Sequence, residues 1–241
     1  MKTILLASVP HTGTRFVEGF LHEAMDGPDG PPNVIELSTL RKQRTWQRTQ
    51  VGPEAWEAGL DPDRPNLVVT HLGPRLHDAY MPLAAHVPTV VPLRDPLAAL
   101  VSRYVRKADA WPEPVGPWFD ALDRLPTVDV WRPRYIPVDA LAKPDRVEWR
   151  RGYLGLMADA TGCVGDDIEA TIEWWANEWP IINHVGADDH PARAAYRDRD
   201  VKALWRLLGL EARQRLRALT PRLRPLLERN GYQRLMWWDA A

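Results

Sequence analysis

The chain has 241 residues, 45% of them hydrophobic and 26% charged, with a formal net charge of −1. That length suits one large α/β domain more readily than two small ones, and the near-zero charge excludes bulk attraction to nucleic acid or anionic membranes, so any anion site must be local. One cysteine, Cys163, excludes an intramolecular disulfide framework and fits a reducing compartment.

Lys2 precedes only about seven apolar residues before polar ones return, which does not read as a signal peptide. No stretch reaches the ~20 apolar residues of a membrane span. The expectation is a cytoplasmic protein. Thr3 to Val9 is a short apolar run ended by Pro10, the pattern of a buried parallel strand. A tight turn follows, Pro10-His11-Thr12-Gly13-Thr14. Phe16, Val17, Phe20, Leu21, Ala24 and Met25 then recur at helical spacing. Strand, hydroxyl-rich turn and helix aim backbone N–H groups and the helix dipole at one spot, an arrangement that suits a phosphate. Thr12 and Thr14 add hydroxyls; His11 and Arg15 add actual or potential positive charge. The loop is not a Walker A motif: only Gly13 is present and no Lys follows it, so magnesium-dependent NTP hydrolysis is poorly served.

Gly27 to Pro32 reads as a turn cluster, and Val34 to Leu37 as a second strand. Arg41 to Arg48 and Gly52 to Pro65 read as an irregular or short-helical insertion. Asn66 to Thr70 is a short strand that delivers His71 at its end. Leu76 to His86 can form a helix. Thr89 to Leu93 is another buried strand, ending in Arg94-Asp95-Pro96, where Asp95 can cap the next helix and Pro96 fits its first position. Leu97, Leu100, Val101, Tyr104 and Val105 form that helix's apolar stripe. A short helix is expected near Trp118 to Leu125, and a fourth core strand over Arg134 to Val138, with an acidic turn at Asp139. From Val147 the chain reads as helical: Val147–Ala160, Asp166–Trp179, Val201–Leu208, Glu211–Leu219 and Arg222–Asn230, the last stopped by Gly231.

Strands alternating with helices imply an α/β fold, a three-layer doubly wound parallel sheet of P-loop-like type. The mostly helical C-terminal half covers it, as one domain over residues 1–241. Ligands of such sheets bind beyond the carboxyl ends of the strands. Three strands here end in polar chemistry: the His11 to Arg15 loop, Thr70-His71 and Arg94-Asp95. Ser102 lies about two helical turns beyond Asp95, where it can join Arg94 on a second phosphate. Two phosphate sites and a histidine on one rim suit a nucleotide with phosphate at both ends of its ribose, and a proton to be removed.

With these residues in view the chain resembles the sulfotransferases that use 3′-phosphoadenosine 5′-phosphosulfate. Pro10-His11-Thr12-Gly13-Thr14-Arg15-Phe16 resembles their 5′-phosphosulfate loop, P-K-S-G-T-T-W. Arg94 to Ser102 resembles their 3′-phosphate motif, an Arg with a Ser eight residues on. Thr70-His71-Leu72 is similar to the K-T-H-L-P segment carrying their catalytic base, and Gly231-Tyr232 to their closing G-Y. The matched motifs total about thirty residues, in the family's order along most of the chain. The resemblance implies donor binding by His11, Thr12, Gly13, Thr14, Arg15, Arg94 and Ser102. It implies catalysis by His71 as base, with His11 in the place of the loop lysine, and no metal. The implied acceptor is a hydroxyl or amine of a small molecule or glycan; from the near-zero charge and the absence of a spanning stretch, no nucleic-acid or membrane partner is expected.

The chain departs from the family at three places. The loop lysine is His11, the lysine two before the base is Val69, and no C-terminal R-K-G loop is seen, Arg193, Arg197 and Arg199 standing roughly in its place. Two other readings follow from the same residues: a small-molecule kinase of the same topology, which lacks its Lys-Ser/Thr pair here, and a non-catalytic nucleotide- or partner-binding module. Trp174, Trp175 and Trp179 read as core, with stacking on an aromatic acceptor as the alternative. Arg213 to Arg224 read as a solvated face.

Overall fold

The structure is a computed structural model that describes residues 2–10, 12–28, 30–37, 49–51, 57–72, 84–100, 116–141, 147–162, 167–177, 194–195 and 200–232. Among these residues six strands form one sheet: β1 (Thr3–Ser8), β2 (Asn33–Leu37), β3 (Thr49–Val51), β4 (Asn66–His71), β5 (Thr89–Leu93) and β6 (Arg134–Pro137). Their order is β3-β2-β4-β1-β5-β6, and every pairing is parallel. The helices are α1 (Thr14–Ala24), α2 (Gly116–Arg124), α3 (Val138–Leu141), α4 (Val147–Thr161), α5 (Ile168–Asn177), α6 (Val201–Leu207) and α7 (Leu210–Arg229). A 3-10 helix, Leu125–Trp131, follows α2, and residues 96–100 are helical after β5.

Side chains alternate across a strand, so each apolar run feeds two cores. On one face Ile4 and Leu6 of β1 join Leu67 and Val69 of β4 and Ile136 of β6. There they meet Phe16, Val17 and Phe20 of α1, Leu154 and Met157 of α4 and Trp175 of α5. On the other face Leu5, Ala7, Ile35, Val68, Val91 and Leu93 meet Leu97, Leu100, Trp118, Phe119, Leu204, Leu216, Leu223 and Leu227. This is a three-layer, doubly wound α/β sheet of P-loop-like type, and the C-terminal helices divide between its two faces. All six residues of β1 are buried. Each fully buried aliphatic side chain there stabilises the fold by about 1.5–3 kcal/mol.

Four expectations change. The fourth core strand is an edge strand, β6; among the described residues it pairs with β5 alone and ends at Pro137, where α3 begins. Asp139 therefore sits in a helical first turn rather than an acidic turn. The insertion between β2 and β4 contains strand β3, whose three residues are too few for periodicity to register. Helices expected over Glu211–Leu219 and Arg222–Asn230 are one helix, α7, running through Pro221 and Pro225. Proline removes a helix hydrogen bond and crowds the preceding turn. Both prolines are exposed, so the released carbonyls can turn to water, while Ala212, Leu216, Leu223, Leu226 and Leu227 hold one buried stripe across the break. Tertiary burial outweighs the local penalty.

Gly231, at φ +89°, ends α7. Its N–H donates to Glu228 O at 3.1 Å, and the Tyr232 N–H donates to Leu227 O at 3.0 Å, the bonding pattern of a Schellman cap. The arginines of this helix are more than a solvated face. Arg215 pairs with Asp120 at 3.1 Å, and Arg222 and Arg229 pair with Asp123 and Asp129, so α7 is strapped to α2 and the 3-10 helix. These pairs are half exposed, where each contributes little alone.

Candidate functional site

The carboxyl ends of β4, β1 and β5 lie side by side, because β1 sits between the other two. The loop after β1 is held from both sides. Trp118 Nε1 donates to Pro10 O at 3.0 Å, and the Thr12 N–H to Val9 O at 3.3 Å. Gly13 caps α1 in the left-handed region at φ +84°, where side-chained residues are strained. A Cβ there would lie 2.5 Å from Cγ1 of Val138, so the loop also needs glycine to pass α3. α1 starts at Thr14. The backbone N–H groups of its first turn cannot be satisfied within the helix and carry the positive end of its dipole.

The two threonine hydroxyls turn inward. Thr12 Oγ1 donates to Val9 O at 2.7 Å, and Thr14 Oγ1 donates to Ser8 Oγ at 2.8 Å. Among the described residues of the loop, the backbone N–H groups are then the donors left to face outward from the turn. Arg15 is exposed on the first turn of α1.

β1 and β4 are in register, with Ser8 opposite His71. Ser8 Oγ lies 2.9 Å from His71 Nδ1. Parity explains the meeting. Ile4 and Leu6 face α1, so Ser8 does too; Leu67 and Val69 face α1, so His71 does too. Ser8 is fully buried while His71 reaches the surface. The imidazole is thus two hydrogen bonds from the first residue of α1.

On the other side of β1, Arg94 leaves β5. Its Nε donates to Asp139 Oδ1 at 3.3 Å, while the Asp95 N–H donates to Asp139 Oδ2 at 2.7 Å. Asp139 of α3 thereby fixes the direction in which the guanidinium leaves the strand. Asp95 Oδ1 accepts from the Leu97 N–H at 2.8 Å, the cap anticipated for the helix at 96–100. Tyr232 donates its hydroxyl to Leu93 O at 2.9 Å, so Gly231-Tyr232 ties the end of α7 to the residue before Arg94. His11, Ser102, Trp179, Arg193, Arg197 and Arg199 lie outside the described residues. Trp175 is core at 1% exposure, whereas Trp174 is 47% exposed. Among the described residues no group of three or more His, Cys, Asp or Glu side chains is placed to hold a metal ion.

Sequence reasoning missed Ser8 and Asp139. Strand parity could have found Ser8, the third of Ile4, Leu6, Ser8 on one face. Nothing local marks Asp139, whose partners lie 44 and 45 residues earlier.

Burial of its carboxyl, reinforced by the charge of Asp139, pushes Asp95 up to about 7. The native state therefore keeps this proton to higher pH than the unfolded chain. The associated stability is complete below the unfolded value of 3.8 and is lost as pH rises through about 7. Asp95→Asn keeps the Oδ1 acceptor and removes the charge. Between pH 4 and pH 8 the variant should gain on the wild type by up to about 4 kcal/mol in urea unfolding. A difference that does not move with pH would remove Asp95 as the titrating group.

No protein-family model matches the chain. No curated protein matches it. Among solved structures it is similar to mouse sulfotransferase SULT7A1 complexed with PAP, with a TM-score of 0.48 and 15% identity, over 92% of this chain and 85% of that one.

Proposed function

We propose that this protein moves a sulfuryl group from 3′-phosphoadenosine 5′-phosphosulfate to a hydroxyl or amine of a small-molecule or glycan acceptor, in the cytoplasm. The observation that carries the reading is the Ser8 bridge, which joins an imidazole to the N-terminus of α1 at the rim where Arg94 also emerges. A proton acceptor, an anion site and a second cation are what such a transfer requires of a protein. The motif resemblance supplies the donor's identity.

In this reading the first turn of α1 holds the 5′-phosphosulfate, and Arg94, with Ser102, holds the 3′-phosphate. His71 takes the acceptor's proton as its oxygen or nitrogen bonds to sulfur. The bond from sulfur to the bridging oxygen breaks, and adenosine 3′,5′-bisphosphate leaves with the electron pair. Charge building on that oxygen meets the α1 dipole and a cation from His11 or Arg15. Neutral imidazole is available near neutral pH because histidine ordinarily titrates at ~6.5. Most of the acceleration comes from positioning and charge stabilisation.

Thermal unfolding with adenosine 3′,5′-bisphosphate, AMP, ADP and ATP tests this. The bisphosphate should stabilise most, by about 2.7 kcal/mol at a hundredfold excess over Kd. ATP outranking it would favour a kinase. Stabilisation without turnover of the sulfuryl donor would mark a binding module. Arg94→Ala removes a charge-assisted contact worth roughly 1.5–3 kcal/mol. Bisphosphate affinity should fall about tenfold or more, with AMP little changed. Equal losses for both would show that Arg94 does not read the 3′-phosphate.

A further inference from the structure

Leu93 pairs with Pro137 at the ends of β5 and β6, so Arg94 and Val138 are the residues that leave the two strands. Val138 and Asp139 open α3, and each meets a different part of the rim. Val138 lies against Gly13, where an added Cβ would come 2.5 Å from its Cγ1. Asp139 meets the end of β5. Its Oδ2 accepts from the Asp95 N–H at 2.7 Å and its Oδ1 from Arg94 Nε at 3.3 Å. The short, charge-assisted bond to a backbone N–H pins the carboxylate, so the guanidinium is the partner that comes to it. The Tyr232 hydroxyl, donating to Leu93 O at 2.9 Å, ties down the strand end from which both bonds are made. Two consecutive residues of α3 therefore join the loop proposed for the 5′-phosphosulfate to the arginine proposed for the 3′-phosphate.

We infer that Asp139 is a positioning residue that holds the Arg94 guanidinium ready for the 3′-phosphate, and so helps select a nucleotide phosphorylated at both ends of its ribose. This rests on the sulfuryl-transfer reading, which supplies the ligand. Arginine has a long stem with many rotamers, and freezing them on binding costs affinity. Nε is the donor nearest that stem, so a bond there restrains the plane of the whole guanidinium. Asp139 also carries a charge that opposes a phosphate. The Arg94 and Asp139 side chains are 21% and 26% exposed, so water weakens that repulsion, and the guanidinium's own charge offsets it. Ordering is then the larger effect. Asp139 touches no part of the nucleotide in this scheme and acts through Arg94.

The test is calorimetric titration of adenosine 3′,5′-bisphosphate and of AMP into the wild type, Arg94→Ala, Asp139→Ala and the double variant. Asp139→Ala should weaken the bisphosphate by about three- to tenfold, the range for ordering one long side chain, and leave AMP nearly unchanged. In the Arg94→Ala background the same substitution should cost nothing more, because the residue it acts through is gone. A merely structural Asp139 would weaken both nucleotides, and would do so with or without Arg94. Either result overturns the inference. So does a gain in bisphosphate affinity, which would make Asp139 a competing charge. Should Asp139→Ala not fold, Asp139→Asn decides. Its single carbonyl oxygen can serve only one of the two donors, so a selective loss of the bisphosphate is still expected, and full selectivity overturns the inference. A wild type that binds both nucleotides equally removes the functional reading and this inference together. A wild type that selects the bisphosphate through Arg94, with Asp139 variants that select it as well, removes this inference alone.

Discussion

Replacing His71 by alanine should lower kcat by about 10²–10⁴, the usual share of a positioned general base, and leave affinity for adenosine 3′,5′-bisphosphate nearly intact. The split follows from the fold. His71 ends β4, whereas the proposed nucleotide contacts come from α1 and from the end of β5. His71 is an exposed residue at the end of its strand, so stability should change little. Ser8 loses one hydrogen-bond partner and keeps its contacts with Thr70 and Thr14. Steady-state kinetics with a calorimetric titration of the bisphosphate separate the two effects. If transfer continues near the wild-type rate, His71 is structural and the proposed mechanism fails.

Trp175→Ala should cost about 3–5 kcal/mol of unfolding free energy, the range for emptying a buried tryptophan site. Trp175 is the piece through which α5 grips α1. Its ring meets Phe16 edge-on at 5.3 Å and Phe20 at 6.1 Å, and its Nε1 donates to Glu23. Gly19 lets the ring approach: a Cβ there would lie 2.6 Å from Trp175 Cη2. No rearrangement of α1 alone fills the space left by an indole, so a cavity term adds to the lost transfer energy. Because α1 follows directly on the proposed phosphate loop, nucleotide affinity of the still-folded variant should weaken as well. Trp174→Ala is the control; at 47% exposure it should shift stability by well under half as much. A loss below about 1 kcal/mol at Trp175 would mean that the sheet alone holds α1.

The resemblance carried in the loop, the Thr70-His71-Leu72 segment and the Arg94-to-Ser102 span is legible in the sequence, because each is a local pattern at a strand end. The role of Gly231-Tyr232 was not. Its backbone half is local, a glycine at positive φ closing α7. Its other half is a hydroxyl bonded to Leu93 O, 139 residues away, which seats the end of α7 beside Arg94. The threonines of the loop teach the same point. Their composition suggests donors for a phosphate, while the folded backbone offers Val9 O and Ser8 Oγ at closer reach.

What the sequence determined by itself is what short-range physics controls. Runs of Leu, Val and Ile bounded by Pro mark the buried strands β1, β4 and β5. Asp95-Pro96 starts a helix, Gly13 permits the left-handed turn, and Gly231 ends α7. In each case the outcome depends on side-chain period or allowed φ, both properties of neighbouring residues. The tertiary structure alone decided which strand ends meet. Placing β4 beside β1 brings His71 to Ser8 across 63 residues, and placing β6 beside β5 brings Asp139 to Arg94 across 45. It also kept α7 whole through Pro221 and Pro225. Strand order and helix continuity are set by burying apolar faces against partners distant in the chain, a collective gain that no local window contains.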